Sequence, residues 1–328
     1  MKSYTYGKRK KLQMIITDDY LRLLVTKKNT ILSFNQKALP DGIISGGFIE
    51  NEDYLLDMIE EQLIEYGAKK LPAFLCLPDG HTFLRKVAIP EDVPSDEMKG
   101  YLYMAANDSI PLPFEDPIIE TVEWQDESEN GREALMIAAR EAIVNQYVGL
   151  LEKLKLKPRV MDLSLLSLYR LYYHLNRVRP DDRILLLQIH YSYIQVSIFE
   201  QHQPIYVHYV NLPANREAYI NRSYMDYEYY MPEGIEDLLG EYIRTIVQEI
   251  SRLQNFYEFT IMQGEKRLNK IVVAGDHPYL QTISEVLQEQ IEMEIDDALT
   301  VPLFQNKENI NIPPAFSDCI GLALHPAE

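Results

Sequence analysis

Two similar patterns of apolar and polar positions follow one another along the chain. The first begins with three apolar, β-branched runs that polar residues separate, at 12–17, 20–26 and 31–34. Short runs with such boundaries are typical of an antiparallel three-stranded meander. Apolar residues at helical spacing then predict an amphipathic helix over 54–66, with Asn51 as its N-cap and Gly67 as its end.

The middle of the chain has a different order of predicted helices and strands. Its pattern predicts a helix, two alternating strands, a second helix and a short strand, at 95–107, 118–124, 134–139, 141–154 and 159–162. This block is a candidate small α+β module within a larger fold. We therefore predict three units: residues 1–94, an inserted module at 95–163, and a second half at 164–328.

The opening pattern returns after the module. Three strands are predicted at 184–189, 193–199 and 204–210, and a long amphipathic helix follows over 235–257. A meander-plus-helix unit that occurs twice, with a small module inside the first copy, indicates an internal duplication. Two α/β halves that face a cleft are the plan of the actin-like, ribonuclease H-like ATPase fold, and this is the predicted fold class.

Composition and charge narrow the classes of function. The chain has 328 residues, of which 46% are hydrophobic, enough for two cores side by side. Its formal net charge is −18. Because a strongly acidic surface repels phosphate backbones and anionic lipid, neither nucleic-acid binding nor direct membrane insertion is predicted. The charge suits a basic partner, or it serves solubility alone.

The cysteines and the hydropathy indicate a reducing compartment. Cys76 and Cys319 are the only cysteines, and each lies in an apolar run, which is typical of buried core thiols. No apolar stretch reaches the ~18 residues that span a bilayer, and no signal-peptide pattern follows the basic residues 8–11. We expect a cytoplasmic protein without its own anchor. The histidines show no metal-ligand spacing and no nucleophile-elbow string occurs, so neither a metal site nor catalytic residues are predicted.

Several strings, in order along nearly the whole chain, resemble motifs of the PilM family of type IV pilus machines. Residues 38–49 read ALPDGIISGGFI, similar to the family's LP-x-G-x-I-x-x-G-x-I passage. Residues 107–116 read NDSIPLPFED and resemble the signature that opens the family's inserted module. The other matching strings are LPDG at 77–80, RKVAIP at 85–90, AARE at 138–141, LKP at 156–158 and RLQNFY at 252–257.

The resemblance implies an actin-like fold related to the cell-division protein FtsA. It also implies a place on the cytoplasmic side of the inner membrane, where the family grips the short N-terminal tail of the bitopic pilus protein PilN. That tail is expected in a groove between the first subdomain and the inserted module. The pilus motor ATPase, the platform protein and a second copy of this chain are further candidate partners. The residues assigned to the groove are Arg85, Val87, Ile89, Ile110, Leu112 and Phe114.

The first phosphate-binding hairpin of the family is altered here. Actin-like ATPases need glycine in this turn so that backbone N–H groups can approach phosphate, and an aspartate organises the metal. The family reads DIGSS, whereas residues 15–19 read IITDD, so Ile15 replaces the aspartate and Thr17 the glycine. Asp18 and Asp19 are interpreted as polar turn residues, and their charge would repel phosphate oxygens.

The other two nucleotide loops are altered as well. The second hairpin of the family reads DIGATS, whereas here Gln188 replaces the aspartate and His190 the glycine. The adenosine loop reads AGGGA in the family and AGDHP at 274–278 here, so that only Gly275 remains and Asp276 follows it. Losses at all three loops predict a pseudo-ATPase that binds no cofactor and is not an enzyme.

The sequence leaves open two alternative functions and the role of one segment. The first alternative is an active actin-like ATPase that polymerises or switches with nucleotide, against which the glycine losses argue. The second is the cytoplasmic portion of a type II secretion component, which normally continues into a transmembrane helix, whereas this sequence ends at Glu328. The tyrosine-rich stretch 219–230 fits either a protein interface or a loop packed on its own domain.

Overall fold

Alternating strands and helices make up the computed structural model, which describes residues 9–28, 30–108, 110–124, 132–212, 219–224, 227–232 and 236–326. The strands are β1 (Lys10–Ile16), β2 (Tyr20–Lys27), β3 (Thr30–Ala38), β4 (Ile44–Ser45), β5 (Phe48–Ile49), β6 (Pro72–Cys76), β7 (Thr82–Ala88), β8 (Pro117–Trp124), β9 (Glu133–Arg140), β10 (Lys157–Asp162), β11 (Arg183–Ile189), β12 (Tyr193–Glu200), β13 (Gln203–Asn211), β14 (Tyr219–Tyr224), β15 (Tyr227–Pro232), β16 (Lys270–Gly275) and β17 (Glu294–Asp296). The helices are α1 (Glu52–Glu65), α2 (Met98–Asp108), α3 (Glu141–Lys153), α4 (Ser164–His174), α5 (Glu236–Asn255), α6 (Leu280–Gln290) and α7 (Ser317–Ala323).

The first central sheet is built around the predicted opening meander. Its described strands lie in the order β10-β6-β1-β2-β3-β15-β14. Strands β1, β2 and β3 pair antiparallel, and β6 and β10 continue the sheet in parallel on the other side of β1. Helices α1 and α3 cover one face, where Leu12, Leu55 and Tyr147 share a core. Asn51 caps α1 as predicted, because its Oδ1 accepts the backbone N–H of Tyr54 at 3.1 Å.

The second central sheet repeats this arrangement. Its described strands lie in the order β13-β12-β11-β16-β17. The meander β11-β12-β13 is antiparallel and β16 and β17 are parallel to β11, as β6 and β10 are to β1. Helices α5 and α6 cover its outer face through residues such as Ile246, Leu253 and Ile283. The second predicted meander and the predicted long helix are therefore confirmed.

A third core joins the two sheets. It combines Leu24 and Phe74 of the first sheet with Leu186 and Val272 of the second. Residues of α4 and α7 pack in the same core, and these two helices lie against each other. Two similar α/β halves on either side of such a pair of helices confirm the predicted actin-like fold class.

A small separate sheet forms the inserted module. Its described strands lie in the order β7-β9-β8, and α2 packs against β8. The predicted boundaries do not follow the sheets. Strand β7, which precedes residue 94, pairs with β9 of the module, and β10, which precedes residue 163, pairs with β6 of the first sheet. The sequence pattern indicates where strands occur, but a strand's partners depend on tertiary packing.

The tyrosine-rich stretch contains two strands that the sequence pattern did not reveal. Strands β14 and β15 pair antiparallel, and β15 joins the edge of β3 in the first sheet. Gln36 of β3 donates a hydrogen bond of 2.5 Å to the carbonyl oxygen of Glu228. A segment that follows the second meander in sequence therefore completes the sheet of the first half, which favours packing on the protein's own body over a protein interface.

Both cysteines are buried, as predicted, and neither forms a disulfide. The Sγ of Cys76 lies 3.6 Å from Ser167 Oγ in the core between the halves. Among the described residues no helix is long and apolar enough to cross a membrane.

Candidate functional site

A cavity of about 580 Å³ lies in the cleft between the two halves. The turn between β1 and β2 forms one side of it and the turn between β11 and β12 the other, with the segment that contains Asp79 between them. These are the two hairpin turns that the sequence comparison assigned to phosphate binding. Their side chains decide what the cleft can hold.

The side chains of the first turn are engaged in hydrogen bonds within the protein. Thr17 Oγ1 accepts the backbone N–H groups of Asp19 at 3.3 Å and of Tyr20 at 3.0 Å, so Thr17 stabilises the turn. The carboxylate of Asp18 accepts the N–H groups of Gly46 at 2.6 Å and of Gly47 at 2.8 Å. Asp18 therefore fixes the β4–β5 turn beside the cleft. Ile15, where the family has the metal-side aspartate, is buried in the core between the halves.

Side chains fill the second turn. His190 is only 5% exposed, and its ring stacks on Tyr193 with 4.3 Å between the ring centroids. Its Nδ1 lies 3.0 Å from Asp276 Oδ1, while its Nε2 has no hydrogen-bond partner among the described residues. Gln188 is fully buried, and its Nε2 donates to Gln195 Oε1. Imidazole and amide groups thus occupy the positions where the family has glycine and aspartate.

An arginine that the sequence analysis did not single out lies beneath these turns. Arg22 of β2 is 1% exposed, and its guanidinium donates to Gln36 Oε1 and pairs with the carboxylate of Asp276. Its Nη1 lies 3.6 Å from Asp318 Oδ2 on α7. Since Asp276 follows β16, this cluster joins the first sheet, the second sheet and α7. Arg22, His190, Asp276 and Asp318 are called the cleft ion cluster below.

The cluster changes the pKa values of its members in opposite directions. Burial alone would raise the pKa of Asp276, but His190 and Arg22 together hold it well below its usual range. Burial works to lower the pKa of His190, yet the Asp276 carboxylate outweighs it and the pKa is raised. Burial raises the pKa of Asp318 to about 6, an increase that Arg22 only partly offsets. Asp276 is therefore the ionised centre of the cluster.

Gly275, the one glycine kept in the third loop, has a structural reason to be there. Its φ is +133°, and a Cβ at this position would overlap the backbone carbonyl of Ile189. That carbonyl accepts the N–H groups of Asp276 at 3.1 Å and of His277 at 3.2 Å. The close approach of this loop to the second hairpin requires glycine whether or not an adenosine binds.

Five of the six residues assigned to a peptide groove lie in or against the core of the inserted module, and Arg85 lies apart from them. Ile89 and Ile110 are 4% and 7% exposed and belong to the core of the inserted module, against which Val87 and Leu112 are partly buried. Arg85 is exposed and lines a cavity of about 1060 Å³ between β7 and β13. Phe114 belongs to the same core as Ile89 and Ile110 and also lines a cavity of about 680 Å³ beside the start of α3.

Arg140 connects the first half to the module beside Phe114. Its guanidinium carbon lies 5.6 Å from the ring centroid of Phe48 on β5 and 5.8 Å from that of Phe114. Arginine over aromatic faces is held without losing its hydrogen-bond donors. Within the described part of the chain Arg140 has neither an ion pair nor a side-chain hydrogen bond, and it lines the 680 Å³ cavity.

Sequence signals existed for some of the residues that the analysis missed. Arg22 is the only charged residue in the otherwise apolar run 20–25, and a buried arginine requires a carboxylate partner. Arg140 stands in the AARE string that resembles the family, although the string carried no role for it. Asp318 gave no comparable signal. Among the described residues no group of His, Cys, Asp and Glu side chains is arranged to hold a metal.

Comparison with models of protein families shows to which family the chain belongs. The model of the family described as type IV pilus assembly protein PilM matches residues 24–310. The chain belongs to the PilM family. The solved structure of a PilM–PilN type IV pilus biogenesis complex is 21% identical, covers 98% of this chain and 100% of its own, and superposes with a TM-score of 0.73, which indicates a common fold.

Two other solved structures are similar to this PilM-family chain at lower sequence identity and lower TM-score. The ethanolamine utilization protein EutJ from Carboxydothermus hydrogenoformans is 12% identical, with 97% of this chain and 90% of its own covered, at a TM-score of 0.49. The cytoplasmic domain of EpsL, from the type II secretion system of Vibrio cholerae, is also 12% identical, with 96% and 95% covered, at a TM-score of 0.48. Comparison with curated proteins gave no match.

Proposed function

We propose that this PilM-family protein is a non-catalytic, cytoplasmic scaffold of type IV pilus assembly that binds the N-terminal tail of a PilN-like membrane protein. The family match over residues 24–310 carries this proposal. The similar solved structure is a complex of PilM with PilN, which supports a PilN-like partner here. Through that partner the protein would lie at the inner membrane. The motor ATPase, the platform protein and a second copy of the chain stay predictions as further partners.

The scaffold works without ATP in this proposal. The observation that supports it is the cleft ion cluster, since His190 and Asp276 fill the space beneath the second hairpin turn. Asp18, Asp19 and Asp79 add carboxylates around the cleft, and each would repel a phosphate group. With Thr17 and His190 in place of glycine, the turns offer no open backbone cradle for phosphate. These residues do not fit a magnesium nucleotide.

The tail would bind in the 680 Å³ cavity between the first half and the module. Arg140 and Phe114 line this cavity together with Pro113 and the first residues of α3. The guanidinium of Arg140 would donate to carbonyl oxygens of an extended peptide, while the aromatic rings contact its apolar side chains. Glu115, Asp116 and Glu141 around the cavity favour a peptide that also carries basic residues.

Two titrations test the proposal. A synthetic peptide with the sequence of the cytoplasmic tail of a PilN-like protein is titrated calorimetrically into the full chain, and saturable binding is expected. Mg-ATP is titrated in the same way, and no heat of binding is expected at micromolar concentrations. Absence of peptide binding at low salt would overturn the scaffold role. Micromolar binding of Mg-ATP would instead favour an ATP-dependent switch.

A further inference from the structure

We propose that the cleft ion cluster is a built-in latch, which holds the two halves in one fixed arrangement without a ligand. The inference goes beyond peptide binding, because it concerns the relative position of the halves. It rests on side-chain contacts across the cleft. Nucleotides cross-link the cleft of active proteins of this fold class, and here protein side chains would take that role.

The central contact of the latch joins the two sheets directly. Arg22 lies on β2 in the first sheet, and Asp276 follows β16 in the second. The two side chains are paired at 1% and 3% exposure. Asp276 also accepts a hydrogen bond from His190 on the turn of the second hairpin. Both oxygens of the Asp276 carboxylate are thus engaged, one by each half.

Two further pairs of side chains join the halves across the cleft. Ser192 Oγ on the second hairpin donates to Asp19 Oδ2 on the first at 3.2 Å. Tyr193 OH on β12 donates to Asp79 Oδ2, beside the first sheet, at 3.1 Å. Asp79 also accepts the Oγ hydrogen of Ser164 at the start of α4. The latch therefore spans both hairpins and the helix that connects the halves.

Burial makes these contacts hard to open. If the halves separated, Arg22 would lose its main countercharge, and Asp276 would keep His190 but lose the guanidinium. Salt weakens an exposed ion pair, but it screens a pair at this burial much less. The arrangement of the halves should therefore be insensitive to nucleotide and to ionic strength.

Distance measurements between the halves test the latch. Spin labels on Glu60→Cys in α1 and Glu285→Cys in α6 report on one half each, while Cys76 and Cys319 are buried and react slowly. We expect one narrow distance distribution for the otherwise unchanged chain, the same with and without Mg-ATP. Arg22→Met and the isosteric Asp276→Asn should each broaden this distribution or shift it to longer distances.

Lys270→Met provides a matched control. Lys270 and Asp182 form another buried ion pair, with Nζ and Oδ2 2.7 Å apart and the side chains 2% and 4% exposed, but both residues belong to the second half. This variant should lose thermal stability and keep the original distribution of distances.

A folded Arg22→Met or Asp276→Asn protein with the original distribution would overturn the latch, as would a narrow distribution that Mg-ATP shifts. Because Asp276→Asn keeps the shape of the side chain but turns one of its two acceptor oxygens into a donor, it provides a second test if Arg22→Met does not fold. The latch can fail while the peptide still binds, so its failure is distinguishable from that of the scaffold role.

Discussion

Ser192 Oγ donates a hydrogen bond of 3.2 Å to Asp19 Oδ2, and so the turns of the two hairpins touch across the cleft. In an active ATPase of this fold class the phosphates would separate these turns. Nucleotide binding would therefore require the two turns to move apart.

Restoring glycine should not restore nucleotide binding. In the double variant Thr17→Gly/His190→Gly the two turns regain glycine, but Asp18, Asp19 and Asp276 stay beside them. Their charge would still repel phosphate oxygens, so calorimetric titration with Mg-ATP should show no micromolar binding. Circular dichroism controls for the fold. Micromolar affinity in this variant would mean that the two side chains alone exclude the nucleotide.

Arg140→Met should weaken binding of the PilN-like tail about tenfold or more, because a bound peptide would lose a charged hydrogen-bond donor. Thermal stability should change little, since Arg140 makes no ion pair within the described part of the chain. Calorimetric titration with the tail peptide checks this. Lys153→Met at the far end of α3, which removes the exposed pair with Glu52, is the matched control and should bind normally. Equal affinities of the two variants would place the groove elsewhere.

Asp318→Asn should remove part of the pH dependence of stability. The pKa of Asp318 is about 6 in the folded protein, above the usual 3.8. Protonation of Asp318 therefore stabilises the folded state relative to the unfolded state. That contribution is complete below pH 3.8 and is lost as the pH rises through 6. The free energy of unfolding of the variant relative to the original chain should therefore increase by about 2 kcal/mol between pH 4 and pH 8.

Urea unfolding at several pH values measures this difference. Asp57→Asn, at an exposed position on α1, is the control and should give a curve parallel to that of the original chain. A parallel curve for Asp318→Asn as well would show that Asp318 is not a source of the pH dependence.

Gly275→Ala should destabilise the protein by about 3 kcal/mol or more, because the added Cβ would overlap the carbonyl of Ile189. Gly67→Ala is the matched control. Gly67 also has a positive φ, +58°, but a Cβ there meets nothing within 4 Å, so a loss of about 1 kcal/mol is expected. Denaturant midpoints measure both variants. Similar losses would contradict the close approach of the third loop to the second hairpin.

The sequence predicted features that depend on local patterns. Both meanders, the cap of α1 at Asn51 and the long helix α5 follow from the spacing of neighbouring apolar and capping residues, which needs no tertiary information. The duplicated plan followed from their order. The altered hairpin turns could be recognised because the family supplies a pattern against which to compare Thr17 and His190.

Features that depend on distant partners could not be predicted. The pairing of β15 with β3 joins residues whose order in the chain says nothing of their proximity. The partners of Arg22 come from two other parts of the chain, Asp276 and Asp318, and no local signal connects the three. The separation of Arg85 from the other proposed groove residues has the same origin, since Arg85 lines a cavity beside β13 while Ile110 and Phe114 lie in the core of the module.

The addition of β15 to β3 also affects how the protein is made. Gln36 and Glu228, which form one of the hydrogen bonds between these strands, are 192 residues apart. At a synthesis rate of ~5–20 residues per second, the edge of β3 stays unpaired on the nascent chain for on the order of 10–40 s. An unpaired strand edge is a site of aggregation. The yield of folded protein should therefore depend on translation speed and on chaperones that cover this edge until residue 228 has left the ribosome.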